Sequence, residues 1–164
     1  MGTNIEKPVY AFIDSQNLNL GVQSQGWKLD FKKFRIYLKD SYKVSRAFLF
    51  IGYIPSHQKL YDDLTNNGYE LIFKPVIEKT QGGQVVIKGN VDSELVLHTM
   101  AEFPNYSGAV IVSGDGDFHC LAKYLEQNGK LLKIIVPNSK YSSLLRGFGN
   151  YIAVVTMFRN KVEK

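Results

Sequence analysis

A single cysteine, Cys120, stands among the 164 residues, so neither an internal disulfide nor a cysteine-built zinc cage can be drawn from this chain. No apolar run approaches the length of about 18 residues that a membrane-spanning helix needs. The opening MGTNIEKPVYAFID lacks the basic segment, apolar core and small-residue cleavage site of a secretory signal, and the expectation is a cytoplasmic protein without membrane association. Repeats and low-complexity tracts are missing too. With 45% hydrophobic and 21% charged residues, disorder is a poor reading. No linker composition interrupts the chain, so residues 1–164 read as one domain, long enough to bury a core on both faces of a sheet.

What the chain does have is alternation. The apolar and β-branched runs VYAFID, VSRAFLFIGY, YELIFKPVIE, GAVIVS, LLKIIVP and YIAVVTM alternate with helical patterns over 30–43, 56–67, 91–103 and 117–128, and with a short helix near 141. This order predicts an α/β fold, a doubly wound and mainly parallel sheet with helices on both faces. Ser56 and Asp117 read as helix N-caps, Gly68 and Gly129 as residues just past helix C-termini, and Pro137 as the close of a strand. One sizeable insertion, residues 78–90, holds the pair Gly82-Gly83, which predicts a hairpin or a mobile loop.

In an open parallel sheet ligands bind beyond the carboxyl ends of the strands, where strand order reverses. The first strand ends in Asp14, with Asn17 three residues on, and GAVIVS runs into Ser113, Asp115 and Asp117 of VSGDGDFHC. A strand order of 3-2-1-4-5 would bring both acidic ends to one crevice. A third acid, Asp92, lies on the same helical face as Leu95, Val96 and Thr99. A carboxylate there needs a cation, a metal, or the free N–H groups and dipole of a helix start. Four carboxylates in one cleft repel one another unless a hard divalent cation sits among them, and an all-oxygen donor set points to Mg²⁺ or Mn²⁺. Taken alone, SGDGD reads equally well as a capped strand-to-helix turn.

The formal net charge is +5, with a pI near 9.2, a mild push toward polyanionic partners. Lys32, Arg35, Lys39 and Lys43 recur at helical spacing beside the apolar stripe Phe31, Phe34, Leu38 and Tyr42. They form either a ridge for a nucleic-acid backbone or an ordinary solvated face. Lys88, ahead of the Asp92 block, reads as a phosphate contact or a solvated loop lysine. Trp27, Tyr53, Tyr61 and Tyr141 divide between base stacking and core, with Tyr53, at the end of the second strand, the foremost candidate for stacking.

Three blocks, YAFIDSQNLNLG, KGNVDSELVLHTM and VIVSGDGDFHCLAKYLEQNGK, in that order and spanning most of the chain, resemble the NYN domain family of the PIN-like nuclease superfamily. The resemblance implies a 3-2-1-4-5 parallel sheet and an acidic Mg²⁺ or Mn²⁺ centre for cutting RNA. By motif position Asp14, Asp92, Asp115 and Asp117 match that centre as catalytic and metal-binding residues, Asn17 matches the polar residue completing the first block, and Ser113 the small hydroxyl residue before the turn. One position departs. Family members often carry a further aspartate six residues after the Asp92 position, where this chain has His98. His98 lies four residues after Glu94, so a helix-surface pair competes with a ligand role and the number of metals stays open.

Position 16 is Gln where an aspartyl-phosphate enzyme needs a second aspartate, and GDGDF lacks the spacing of a dinucleotide-binding turn. Cys120 has no basic partner fixed near it in sequence, which disfavours a nucleophilic role, whereas His119 follows Asp117 closely enough to reach a substrate. The reading that results is a metal-dependent ribonuclease with RNA as its partner. A catalytically silent RNA-binding or scaffolding domain is the alternative, and a phosphatase acting on small nucleotides a third. A homodimer extending the basic surface is compatible with the sequence, though no residue pattern requires it.

Overall fold

The computed structural model describes residues 6–75, 77–82, 84–88 and 91–164, the side chains of 75–81 and 83–90 excepted. In chain order the strands are β1 (Val9–Asp14), β2 (Val44–Tyr53), β3 (Tyr69–Pro75), β4 (Ile77–Gln81), β5 (Gln84–Lys88), β6 (Gly108–Val112), β7 (Leu131–Val136) and β8 (Ile152–Val154). The helices are α1 (Ser15–Gln23), α2 (Phe31–Tyr42), α3 (Gln58–Asn66), α4 (Asp92–Ala101), α5 (His119–Gln127) and the short α6 (Arg159–Val162). Six strands form a parallel sheet in the order β3-β2-β1-β6-β7-β8, while β4 and β5 pair as an antiparallel hairpin. Counting only the parallel strands gives 3-2-1-4-5-6. The expected α/β topology is therefore present, with a sixth strand at the β8 edge.

Successive side chains of a strand point to opposite faces, and β1 uses both. Tyr10 and Phe12 enter a cluster with Phe48, Phe50, Leu95, Tyr106, Phe118 and Leu125, so α4 and α5 cover this face. Ala11 and Ile13 enter the opposite cluster with Leu18, Val22, Phe34, Leu38 and Leu64, contributed by α1, α2 and α3. Phe12 stacks on Phe48 with centroids 5.3 Å apart. Each such ring contributes roughly 1.5–3 kcal/mol by leaving water. The sheet is thus anchored on both faces.

Several local expectations are corrected. Helix α1 is not apparent in the periodicity of SQNLNLGVQ, yet it forms because the Asp14 carboxylate caps it by accepting from the Asn17 amide, while Leu18 and Val22 are fully buried. Ser56 is no cap: a 3₁₀ turn, Pro55–His57, precedes α3, whose N-cap His57 makes no side-chain hydrogen bond. The capping carboxylate of the GDGD turn belongs to Asp115, which accepts from the Asp117 amide, rather than to Asp117. The short helix expected near 141 is a 3₁₀ stretch over Ser143–Tyr151. Gly68 and Gly129 do follow α3 and α5, at φ of +99° and +68°, values that favour glycine. The expected hairpin is β4–β5, with Gly82 at φ +58°; Gly83 lies outside the described residues.

Candidate metal centre and its crevice

Strand order reverses between β1 and β6. The chain moves outward from β1 through β2 to β3, then returns to place β6 on the other side. Two connections therefore diverge at the carboxyl ends of β1 and β6 and leave a crevice between them. Four side-chain hydrogen bonds lock its floor. Asn17 Oδ1 accepts from the Gly114 amide at 2.8 Å. The Ser113 hydroxyl accepts from the Asp115 amide at 3.1 Å and donates to Asp14 Oδ2 at 3.5 Å. Asp115 Oδ1 accepts from the Asp117 amide at 2.9 Å. Asn17 and Ser113 thereby hold the turn itself. Gly116 is required there, since an added Cβ would meet Ser142 Oγ at 2.4 Å.

Asp14, Asp92, Asp115 and Asp117 all line this crevice, of about 550 Å³. Three of them converge: carboxylate oxygens of Asp92, Asp115 and Asp117 lie within 4.8 Å of one another. Asp92 opens α4 and is half-buried, Asp115 is half-buried, and Asp117 is exposed. Asp14, 5% exposed, lies deeper in the same crevice, close enough to Asp115 to feel its charge. Burial raises its pKa above the ordinary carboxylate value, and the neighbouring Asp115 adds to the rise, against the lowering effect of the Asn17 and Ser113 hydrogen bonds. Three hard oxygen donors this close, two of them partly withdrawn from water, fit a divalent cation of the Mg²⁺ or Mn²⁺ kind.

Of the wall formed by the loop after β7, sequence reasoning singled out Pro137 and Tyr141 and missed Asn138 and Lys140. Beyond β7, Pro137, Asn138, Lys140 and Tyr141 line the crevice. Asn138 is 8% exposed; its Nδ2 donates to the Gly21 carbonyl at 2.9 Å and its Oδ1 accepts from the Lys140 amide at 2.8 Å. The Ser142 amide donates to the Gly114 carbonyl at 3.0 Å. This loop is tied to α1 and to the GDGD turn, and it sets Lys140 as the lysine of the described crevice lining. Its position is set by PNSK following β7 directly at the carboxyl edge of the sheet.

The remaining candidates scatter. Lys32 and Lys39 are exposed on α2, as is Lys43 at its C-cap, and no α2 residue lines the crevice. Arg35 donates to the carbonyls of Gly68, Val44 and Ser45, at the amino edge of the sheet. Its guanidinium staples β2 to the turn before β3. The Lys88 side chain lies outside the described residues. Tyr53 is 42% exposed at the end of β2, with Tyr61 and Phe73 within ring-contact distance. Trp27 and Tyr61 are core, and Tyr141 is half-buried at the crevice. His98 packs edge-on to Phe50 at 5.6 Å and is not in the acidic trio, while Glu94 pairs with Lys74 at 3.6 Å in place of the anticipated His98 partner. His119 packs against Phe148.

Residues 8–154 match the family profile described as NYN domain. The chain is 23% identical over 160 residues to the low amplitude and bright protein LabA of Synechococcus elongatus, covering 93% of this chain and 86% of that protein. A crystal structure of a protein of unknown function from Vibrio parahaemolyticus superimposes with a TM-score of 0.77 at 21% identity, covering 94% of this chain and 96% of that one. At that identity the likeness speaks for the fold.

Proposed function

The chain belongs to the NYN domain family, with its PIN-like nuclease fold, and from that premise we propose that its crevice is the centre of a metal-dependent endoribonuclease. The observation that carries this reading is the acidic trio, Asp92, Asp115 and Asp117, with mutual oxygen distances within 4.8 Å, at the point where the sheet's strand order reverses. On this reading the trio holds Mg²⁺ or Mn²⁺, with Asp14 at its buried side. A divalent ion held there would supply an activated water and would offset charge on the scissile phosphodiester.

The chain's own residues supply the rest. Asp115 has one carboxylate oxygen engaged by the Asp117 amide, which fixes its orientation. Asn17 and Ser113 keep the turn from relaxing under the repulsion of the acids. Lys140 approaches a phosphate oxygen as a point charge. The exposed lysines of α2 give a diffuse attraction to the RNA backbone, whereas Arg35 acts in the fold. Residues 1–164 work as one domain, in the cytoplasm.

The test is cleavage of single-stranded RNA in Mn²⁺ by nuclease-free preparations of wild type and Asp115→Asn. Metal-dependent cleavage by wild type and its loss in Asp115→Asn are expected. Equal cleavage by both would overturn the mechanism. RNA binding with no cleavage by either would return the chain to the silent RNA-binding reading.

A further inference from the structure

Beside the acidic crevice lies a second pocket of about 300 Å³, between α1, the end of β2 and the start of α3. Its character is the opposite of its neighbour's. The described lining contains no Asp, Glu, Lys or Arg, with His57 its one titratable side chain besides Tyr61, and its walls are mainly apolar: Leu20 from α1, Ile54 and Leu60 from the β2–α3 region, and Val91. The two cavities share Gln16, Leu20 and Val91, and Val91 immediately precedes Asp92. They are therefore compartments of one groove, with α1 as the divide.

We propose that this neutral pocket holds one unpaired nucleobase of the strand whose phosphate occupies the crevice, an inference that rests on the phosphodiester reading above. Leu20 and Leu60 are 54% and 44% exposed, each on the surface of a different helix and each facing the pocket. A base ring held in the pocket would cover apolar surface of both. His57 is the one described lining residue able to carry positive charge, and the apolar walls around it favour a heteroaromatic ring over a phosphate. The side-chain amides of Gln16 and Asn19, also in the lining, offer donors and acceptors to a base edge. Because base and phosphate belong to the same nucleotide strand, a neutral slot adjoining an acidic, metal-fitting slot matches the alternation of the ligand itself.

The probe is a short single-stranded RNA in which one abasic nucleotide is walked along the sequence. Binding is read by fluorescence anisotropy in Ca²⁺ and cleavage in Mn²⁺, for wild type and for Leu20→Ala/Leu60→Ala, whose positions are exposed enough to keep the fold, checked by circular dichroism. In wild type one abasic position is expected to weaken binding about ten-fold, the loss of one stacked base, and in the double variant that penalty should shrink to about two-fold or less. Cleavage with no position-specific penalty would overturn the pocket and leave the nuclease reading standing. A position-specific penalty abolished by the double variant, with no cleavage, would support the pocket and remove the hydrolytic reading. Absence of RNA binding at every position would overturn both.

Discussion

Asp14 sits where a carboxylate is least stable: 5% exposed, beside Asp115, with hydrogen bonds from Asn17, Ser113 and Gln16 as compensation. Its pKa in the folded chain is raised above the ordinary 3.8. The folded state thus keeps the proton to higher pH than the unfolded chain does. The stability that Asp14 contributes is full below the ordinary carboxylate range and is lost as pH rises through the folded value. Asp14→Asn, which keeps the size and the capping oxygen, is expected to raise the melting temperature of the metal-free protein near neutral pH. The gain should shrink as pH falls toward the carboxylate range. Thermal melts across that range check it; a variant less stable than wild type at neutral pH would contradict it. At Ser113, loss of the hydroxyl frees both the Asp115 amide and Asp14 Oδ2. Ser113→Ala should lower metal affinity or cleavage by roughly 10–100-fold, the usual cost of losing an outer partner of a metal ligand, with the fold intact.

Among the elements, the 137–142 loop depends on close approach. Gly21, on α1, has no room for a side chain, because a Cβ there would lie 2.4 Å from Pro137 Cγ. Gly21→Ala is expected to cost about 1–3 kcal/mol through overpacking, and to displace Asn138 and Lys140 from the crevice, so that cleavage falls along with stability. Gly147→Ala, where nothing lies within 4 Å, serves as the control and should stay within about 0.5 kcal/mol of wild type. Denaturant unfolding of the two variants separates the cases. These elements also show why parts of the fold were hard to read. The strands were legible because VYAFID and GAVIVS are continuous apolar runs, as sheets buried on both faces require. Helix α1 was not, because its Asn, Ser and Gly content favours turns, and what holds it is tertiary: the Asp14 cap and the burial of Leu18 and Val22. The caps at Ser56 and Asp117 failed for a related reason, since short 3₁₀ turns moved each helix start by a residue or more.

At the scale of the whole molecule, the charge is divided. The chain carries +5 overall, but its crevice gathers four aspartates, so polyanion attraction and local repulsion oppose each other until a cation mediates. RNA affinity measured with a divalent ion should fall as monovalent salt rises, as counterion release demands, and should be weaker still with the divalent ion chelated. Affinity indifferent to both would contradict this division. The sequence made the four acids legible because they close strands or open helices on one edge. It hid their inequality, since the recession of Asp14 behind the other three depends on burial. Arg35 shows the same limit: helical spacing places it on a ridge, while three carbonyl partners 9 to 33 residues away bind its guanidinium at the sheet's amino edge. The lysine at position 140 went unnoticed because a loop residue carries no periodicity. Divalent ions should also stabilise the fold, by about 2.7 kcal/mol at a concentration a hundred times the dissociation constant.

The most direct measurement is calorimetric titration of Mn²⁺ into wild type and into Asp92→Asn/Asp117→Asn, with the fold of both checked by circular dichroism. Saturable binding to wild type that is lost in the double variant is the expected result. No binding to wild type at millimolar Mn²⁺, or binding unchanged by the substitutions, would make the trio a capped turn beside a helix start and not a metal centre.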